Sequence, residues 1–253
     1  MRGPAPGSAV GSTTRGRATR QGGRLLKSLC EKGLWPLVVG TSLCVVAFDG
    51  AGGRVLVVDY DPDSPEGRVE AAVMQAASGD TVQVMPGVYY EHFELPDIRV
   101  AIVGAEGPEV TILDGSRDFP GRQGSIIWSE GYERHPTLFV RGLTFQNGKG
   151  SITDLGRHGG AILSEHCSLE AENCVFRDNE VGTEYNGRGG AIYAGSVQFL
   201  ILRDCRFAGN RAEGPGGAVR VGQADSIAQV VRCDFDVDPV TSLATGATIA
   251  ASN

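Results

Sequence analysis

Gly159 to Asn179 reads GGAILSEHCSLEAENCVFRDN, and Gly189 to Asn210 reads GGAIYAGSVQFLILRDCRFAGN. Both open on GGAI and close on a cysteine two residues before a phenylalanine, with an asparagine three residues after it. A third unit opens with GGAV at Gly216 to Val219 and reaches CDFDVD at Cys233 to Asp238. Phe145, Phe176, Phe207 and Phe235 lie 31, 31 and 28 residues apart. Self-similarity at such a period marks a solenoid, in which equivalent residues stack into columns. Any functional surface must then be read across coils rather than along the chain.

Each period holds two or three short apolar runs separated by glycine or polar corners, which suits a coil of parallel strands better than hairpins. Stacked coils lie ~4.8 Å apart, so phenylalanine should stack on phenylalanine and cysteine on cysteine. Asn179 and Asn210 should turn inward at a bend, hydrogen-bond along their column and supply its left-handed backbone. Asp238 replaces asparagine in the last unit, and Asn147 sits one residue early in the first. The cysteines Cys174, Cys205 and Cys233 share the inward parity of the phenylalanines and read as buried thiols. On either side of that slot, Asp204 should face Arg232 and Arg206 should face Asp234, an exposed registry device between coils.

Upstream, Val55 to Asp59 reads as a first strand. Val69 to Ala77 carries apolar residues at Val69, Ala72, Val73 and Ala76, the spacing of a short amphipathic helix, which Ser78-Gly79-Asp80 stops. Short strands follow at Thr81 to Met85, Val100 to Val103, Val110 to Leu113 and Ile126-Ile127. The fold class is all-β, a right-handed parallel β-helix with a short N-terminal capping α-helix and about six to seven coils. Trp128 is assigned to the core.

The chain has 253 residues and 41% hydrophobic content, enough for one domain plus a leader. Formal charge is −7, but residues 1–33 carry seven cations against Glu31, so this segment is +6 and the remainder −13. An acidic body argues against a nucleic-acid partner. The leader, residues 1–51, joins its basic stretch to an apolar run at residues 34–48, LWPLVVGTSLCVVAF. Fifteen residues suit a secretory h-region, with an uncleaved membrane anchor or a transit peptide as alternatives. Residues 52–253 form the β-helix domain. Its end, ATIAASN, shows no capping helix, so the domain reads as truncated, with an open last coil able to self-associate.

The stretch from Gly67 to Gly115, with its helix, SGDTVQVMPGVYYE, IVG and TILDG, resembles the N-terminal cap and first coils of the pectin-lyase-like superfamily. The GGAI and FxxN units are similar to repeats of polymorphic outer-membrane proteins. The resemblance implies a β-helix from about residue 55 to 240. It constrains function weakly, because this superfamily includes lyases, hydrolases, esterases, adhesins and scaffolds. Gly87 to Glu91 matches the GxYxE motif of pectin methylesterases, but the esterase aspartate motifs have no counterpart downstream.

Two functional expectations follow. The first is a secreted or surface module, non-catalytic, that binds polysaccharide or serves as an adhesin or scaffold for a surface protein. Its candidate residues lie in variable segments between FxxN and GGA: Asp154, Arg157, His158, Glu184, Tyr185 and Arg188. Tyrosine would stack on a sugar ring while charged groups bind its hydroxyls. The second is a pectate-lyase-like enzyme, with Asp234, Asp236 and Asp238 alternating outward to hold calcium.

Overall fold

A computed structural model describes residues 53–119, 124–130, 136–154, 156–182, 187–222 and 227–236, together with strands at Cys44–Val46, Ser242–Leu243 and Thr248–Ser252. The chain is a parallel β-solenoid, visiting three sheets in turn and returning to the first at intervals of 18 to 38 residues, 31 in the two coils that begin at Thr137 and Ser168. The first sheet has nine strands, in the order Cys44–Val46, Val55–Val58, Thr81–Val84, Arg99–Gly104, Thr137–Arg141, Ser168–Glu172, Phe199–Arg203, Ile227–Val231 and Thr248–Ser252. Only its first pair is antiparallel. The second sheet has six strands: Gly87–Tyr90, Thr111–Asp114, Thr144–Gln146, Val175–Arg177, Arg206–Ala208 and Asp234–Asp236. The third also has six: Phe93–Glu94, Ile127–Glu130, Ile162–Glu165, Ile192–Gly195, Val219–Val221 and Ser242–Leu243.

Columns fill the interior. Phe145, Phe176, Phe207 and Phe235 are in register, with ring centroids 5.1, 4.9 and 4.7 Å apart and planes within 7° of parallel. The column continues upstream as Leu113 and Tyr89, whose Oη donates to Met85 O at 2.8 Å. Cys174 and Cys205 are buried, Cys233 is half-buried, and all three are free thiols.

Asn179 and Asn210 form the expected inward ladder. Asn179 Nδ2 donates to Asn210 Oδ1 at 2.9 Å, and each asparagine also donates to a carbonyl of the coil before it. The left-handed backbone falls one residue earlier than expected, at Asn147, Asp178 and Gly209, with φ of 60, 53 and 65°. That leaves the asparagine side chain free to point inward. Gly148 occupies the asparagine slot in the preceding coil, and its N–H donates to Asn179 Oδ1 at 2.9 Å. A second left-handed column, Gly142, Asn173, Asp204 and Arg232, joins the first sheet to the second.

Outside, Arg232 grips Asp204 through two 2.6 Å contacts, as expected. Arg206 is in register with Asp234, yet its ion pair goes diagonally to Asp236 at 3.2 Å. The guanidinium is long enough to reach past the facing residue, which corrects the expected square of charges.

The cap helix spans Arg68–Val73, shorter at its C-terminal end than the sequence pattern, and buries Val69, Ala72 and Val73. Its N-cap is Gly67, which offers no side chain. Glu91 supplies the missing acceptor: Val69 N and Glu70 N donate to its carboxylate at 2.8 and 3.3 Å. Glu91 is fully buried, and burial pushes its pKa up to about 8 against the pull of these N–H groups. The glutamate of GVYYE thus docks the cap onto the next coil.

Candidate functional site

The GGA units decide what lies outside the third sheet. Gly159, Gly189 and Gly216 are left-handed, with φ of 59, 66 and 84°. A Cβ on Gly159 or Gly189 would strike the carbonyl three residues ahead. The second glycine packs against the next coil: a Cβ on Gly160 or Gly190 would strike Gly190 O or Gly217 O. Only paired glycines permit this reversal. It turns the residue before GGA back over the strand that follows. His158, Arg188 and Pro215 therefore stack as one file, through Gly159 N to Arg188 O at 3.1 Å and Gly189 N to Pro215 O at 3.3 Å.

Beneath this file runs the outward column of the third sheet, Glu94, Trp128, Leu163, Tyr193 and Arg220, each in register with the next. Ile127, Ile162, Ile192 and Val219 alternate with it and belong to the core. Trp128 is thus on the outer face and half-buried, which corrects its assignment to the core. Parity places it there: the core position of its strand is taken by Ile127.

Leu163 and Tyr193 are buried although they point outward, because the preceding segments cover them. His158 stacks on Tyr193 with centroids 4.5 Å apart and planes 15° from parallel. Burial raises the Tyr193 pKa and Glu165 adds to the rise, while Arg188 and Arg220 oppose it. The Tyr193 hydroxyl lies over Gly222, where a Cβ would come within 2.9 Å of it, and the Glu165 carboxylate lies over Gly195. Two glycines thus make room for two polar groups.

Of the residues expected from the variable segments, Arg157, His158 and Arg188 come together. Arg188 N donates to Arg157 O at 3.2 Å, and His158 bridges to Arg188. His158 is fully buried and serves as cover over Tyr193 rather than as an exposed ligand group. Arg157 donates to Gly150 O at 3.0 Å, bracing the hairpin of Ser151–Thr153 and Gly156–His158. Asp154 is exposed at its turn, apart from this cluster's hydrogen bonds. Glu184 and Tyr185 lie outside the described residues. Sequence reasoning missed Tyr193 and Glu165, although Tyr193 lies inside the GGAIYAG phrase.

Asp234 and Asp236 are exposed on one strand of the second sheet, on a different face from this cluster, and Asp238 lies outside the described residues. Asp236 is partnered by Arg206. Among the described residues no group of three or more His, Cys, Asp or Glu side chains is placed to hold a metal ion. No helix among them is long and apolar enough to cross a membrane, and the apolar run at residues 34–48 is described only as the strand Cys44–Val46. Comparison with known proteins finds no matching family model and no matching curated protein.

Proposed function

We propose that the chain is a secreted or cell-surface β-helix module that binds polysaccharide without turning it over, along the outer face of the third sheet. The observation that carries this reading is one outward column in which the half-buried Trp128 and Arg220 lie on either side of the covered Leu163 and Tyr193, with Arg188 and Glu165 beside it. A half-buried indole offers a ring to stack on a sugar, and the arginines and Glu165 offer donors and acceptors to its hydroxyls or carboxylates. At ~4.8 Å per coil Trp128 and Arg220 lie about 14 Å apart along the axis, so a linear polymer lying along the column reaches both across the covered pair. Resemblance to the pectin-lyase-like superfamily supports a glycan partner. The role of Glu91 as a helix cap removes it from consideration as a catalytic group.

The test is retention of the full chain on acidic and neutral polysaccharides, with and without calcium, while absorbance reports any unsaturated product. Retention without product is expected, weakened at least ~10-fold by Trp128→Ala and by Arg220→Ala, the scale of a central contact residue. Equal retention by both variants refutes the site. Product formation that chelator abolishes establishes the lyase alternative. Failure to bind any glycan moves the search to protein partners.

A further inference from the structure

The thiols Cys174, Cys205 and Cys233 form a file inside the solenoid, one per coil. Backbone bonds fix their register: Arg206 N donates to Cys174 O and Asp234 N to Cys205 O, both at 2.9 Å. Each thiol donates to backbone carbonyls, Cys174 Sγ to Glu172 O at 3.3 Å, Cys205 Sγ to Arg203 O at 3.2 Å and Cys233 Sγ to Val231 O at 3.4 Å, and neighbouring thiols lie close enough to shift each other's titration. Neighbouring parallel strands hold Cα atoms ~4.8 Å apart, inside the ~4.4–6.8 Å range that a disulfide spans. Cys174 and Cys205 are 1% and 2% exposed, whereas Cys233 is only partly buried. The fourth described thiol, Cys167, is buried on a different corner.

We propose that Cys233 and Cys205 are an oxidisable pair, and that a small-molecule disulfide converts them to a covalent staple between two adjacent coils. The Cys233 thiolate attacks one sulfur of the small disulfide. A mixed disulfide forms at Cys233 and the other half leaves as a thiol. The Cys205 thiolate then attacks Cys233 Sγ, forming the Cys205–Cys233 bond and releasing the second half as a thiol. The protein loses two protons and two electrons, and the oxidant becomes two thiols. Cys174 stays reduced, because its only thiol neighbour in the file is consumed. Cys174 and burial push the Cys205 thiol up to about 12 against the opposing pull of Cys233, and Cys205 and burial push the Cys233 thiol up as well, so exchange is slow and is followed over hours.

The full chain is incubated with oxidised glutathione, alkylated under denaturing conditions and mapped by peptide mass spectrometry. A Cys205–Cys233 linked peptide, with Cys174 and Cys167 alkylated, is expected. Alkylation of both Cys205 and Cys233, or a Cys174–Cys205 link in place of the expected one, overturns the proposal. Cys205→Ser removes the resolving thiol, so Cys233 should retain one glutathione; an unmodified Cys233 in that variant overturns the order of attack. Cys233→Ser, at a partly exposed position that preserves the core, should leave Cys205 reduced. A glutathionylated Cys205 there shows that Cys233 is not the point of attack.

Discussion

Truncating Asn210 to alanine isolates what the asparagine ladder contributes. Asn210 Oδ1 accepts from Asn179 N at 3.2 Å and from Asn179 Nδ2 at 2.9 Å, and its own Nδ2 donates to Phe176 O at 2.9 Å. Each bond contributes ~1 kcal/mol net, and the variant also strands a buried backbone N–H, so a loss of at least ~3 kcal/mol is expected. Asn179→Ala likewise removes three bonds, to Gly148 N, Phe145 O and Asn210 Oδ1. The two sets share only the Nδ2 to Oδ1 bond. The double variant should therefore be less destabilised than the sum of the singles by ~1 kcal/mol. Urea unfolding followed by circular dichroism and by tryptophan fluorescence measures all four proteins, and coincident curves establish the two-state treatment. Losses below ~1 kcal/mol for the single variants, or strict additivity in the double, refute the ladder as a source of stability.

Glu91 sets a pH dependence. Its pKa in the folded chain, raised to about 8, exceeds the ordinary 4.5 of the unfolded chain. The stability it contributes is complete below pH ~4.5 and is lost as pH rises toward 8, on the order of a few kcal/mol. Urea midpoints at pH 5 and pH 8 should differ in this direction, and Glu91→Gln should flatten the difference; an unchanged slope in that variant excludes the cap carboxyl as its source. Gly190→Ala should destabilise by ~2 kcal/mol or more, because its Cβ meets Gly217 O, whereas Gly182→Ala meets nothing within 4 Å and should unfold like the parent. A calorimetric scan of the two variants distinguishes them, and equal melting temperatures contradict the close approach. Arg232→Ala breaks a fully solvated pair with Asp204 and should leave the urea midpoint where it was. A large shift would show that the pair fixes coil register.

The columns were legible because a solenoid writes its packing into the sequence as a period. Phe176 over Phe207, Cys174 over Cys205 and Asn179 over Asn210 all follow from a spacing of 31. The left-handed bend was misplaced by one residue because asparagine suits both that backbone and an inward hydrogen bond, and here the second use prevails. Arg206 chose Asp236 over Asp234 because register fixes Cα atoms, not the reach of a guanidinium. The outer face of the third sheet was less legible. His158 meets Tyr193 only because the GGA reversal lays one segment over a strand of another coil. Burial outside the core carries no periodic mark, so nothing in the sequence singled out Tyr193. Glu91 was visible in a familiar motif, but its duty toward Val69 and Glu70 depends on a helix folded two strands earlier.

The in-register phenylalanines bear on how such a molecule changes length. Along the column Phe176 and Phe207 stack on a copy of themselves on either side, and each glycine pair is shaped to its successor. An in-frame duplication of one turn should therefore slot between existing turns without redesigning either end. The cap helix would still dock on its own glutamate, and the outward column of the third sheet would lengthen by one rung. The length of the stack then becomes a quantity adjustable by whole turns, while each turn keeps its own packing.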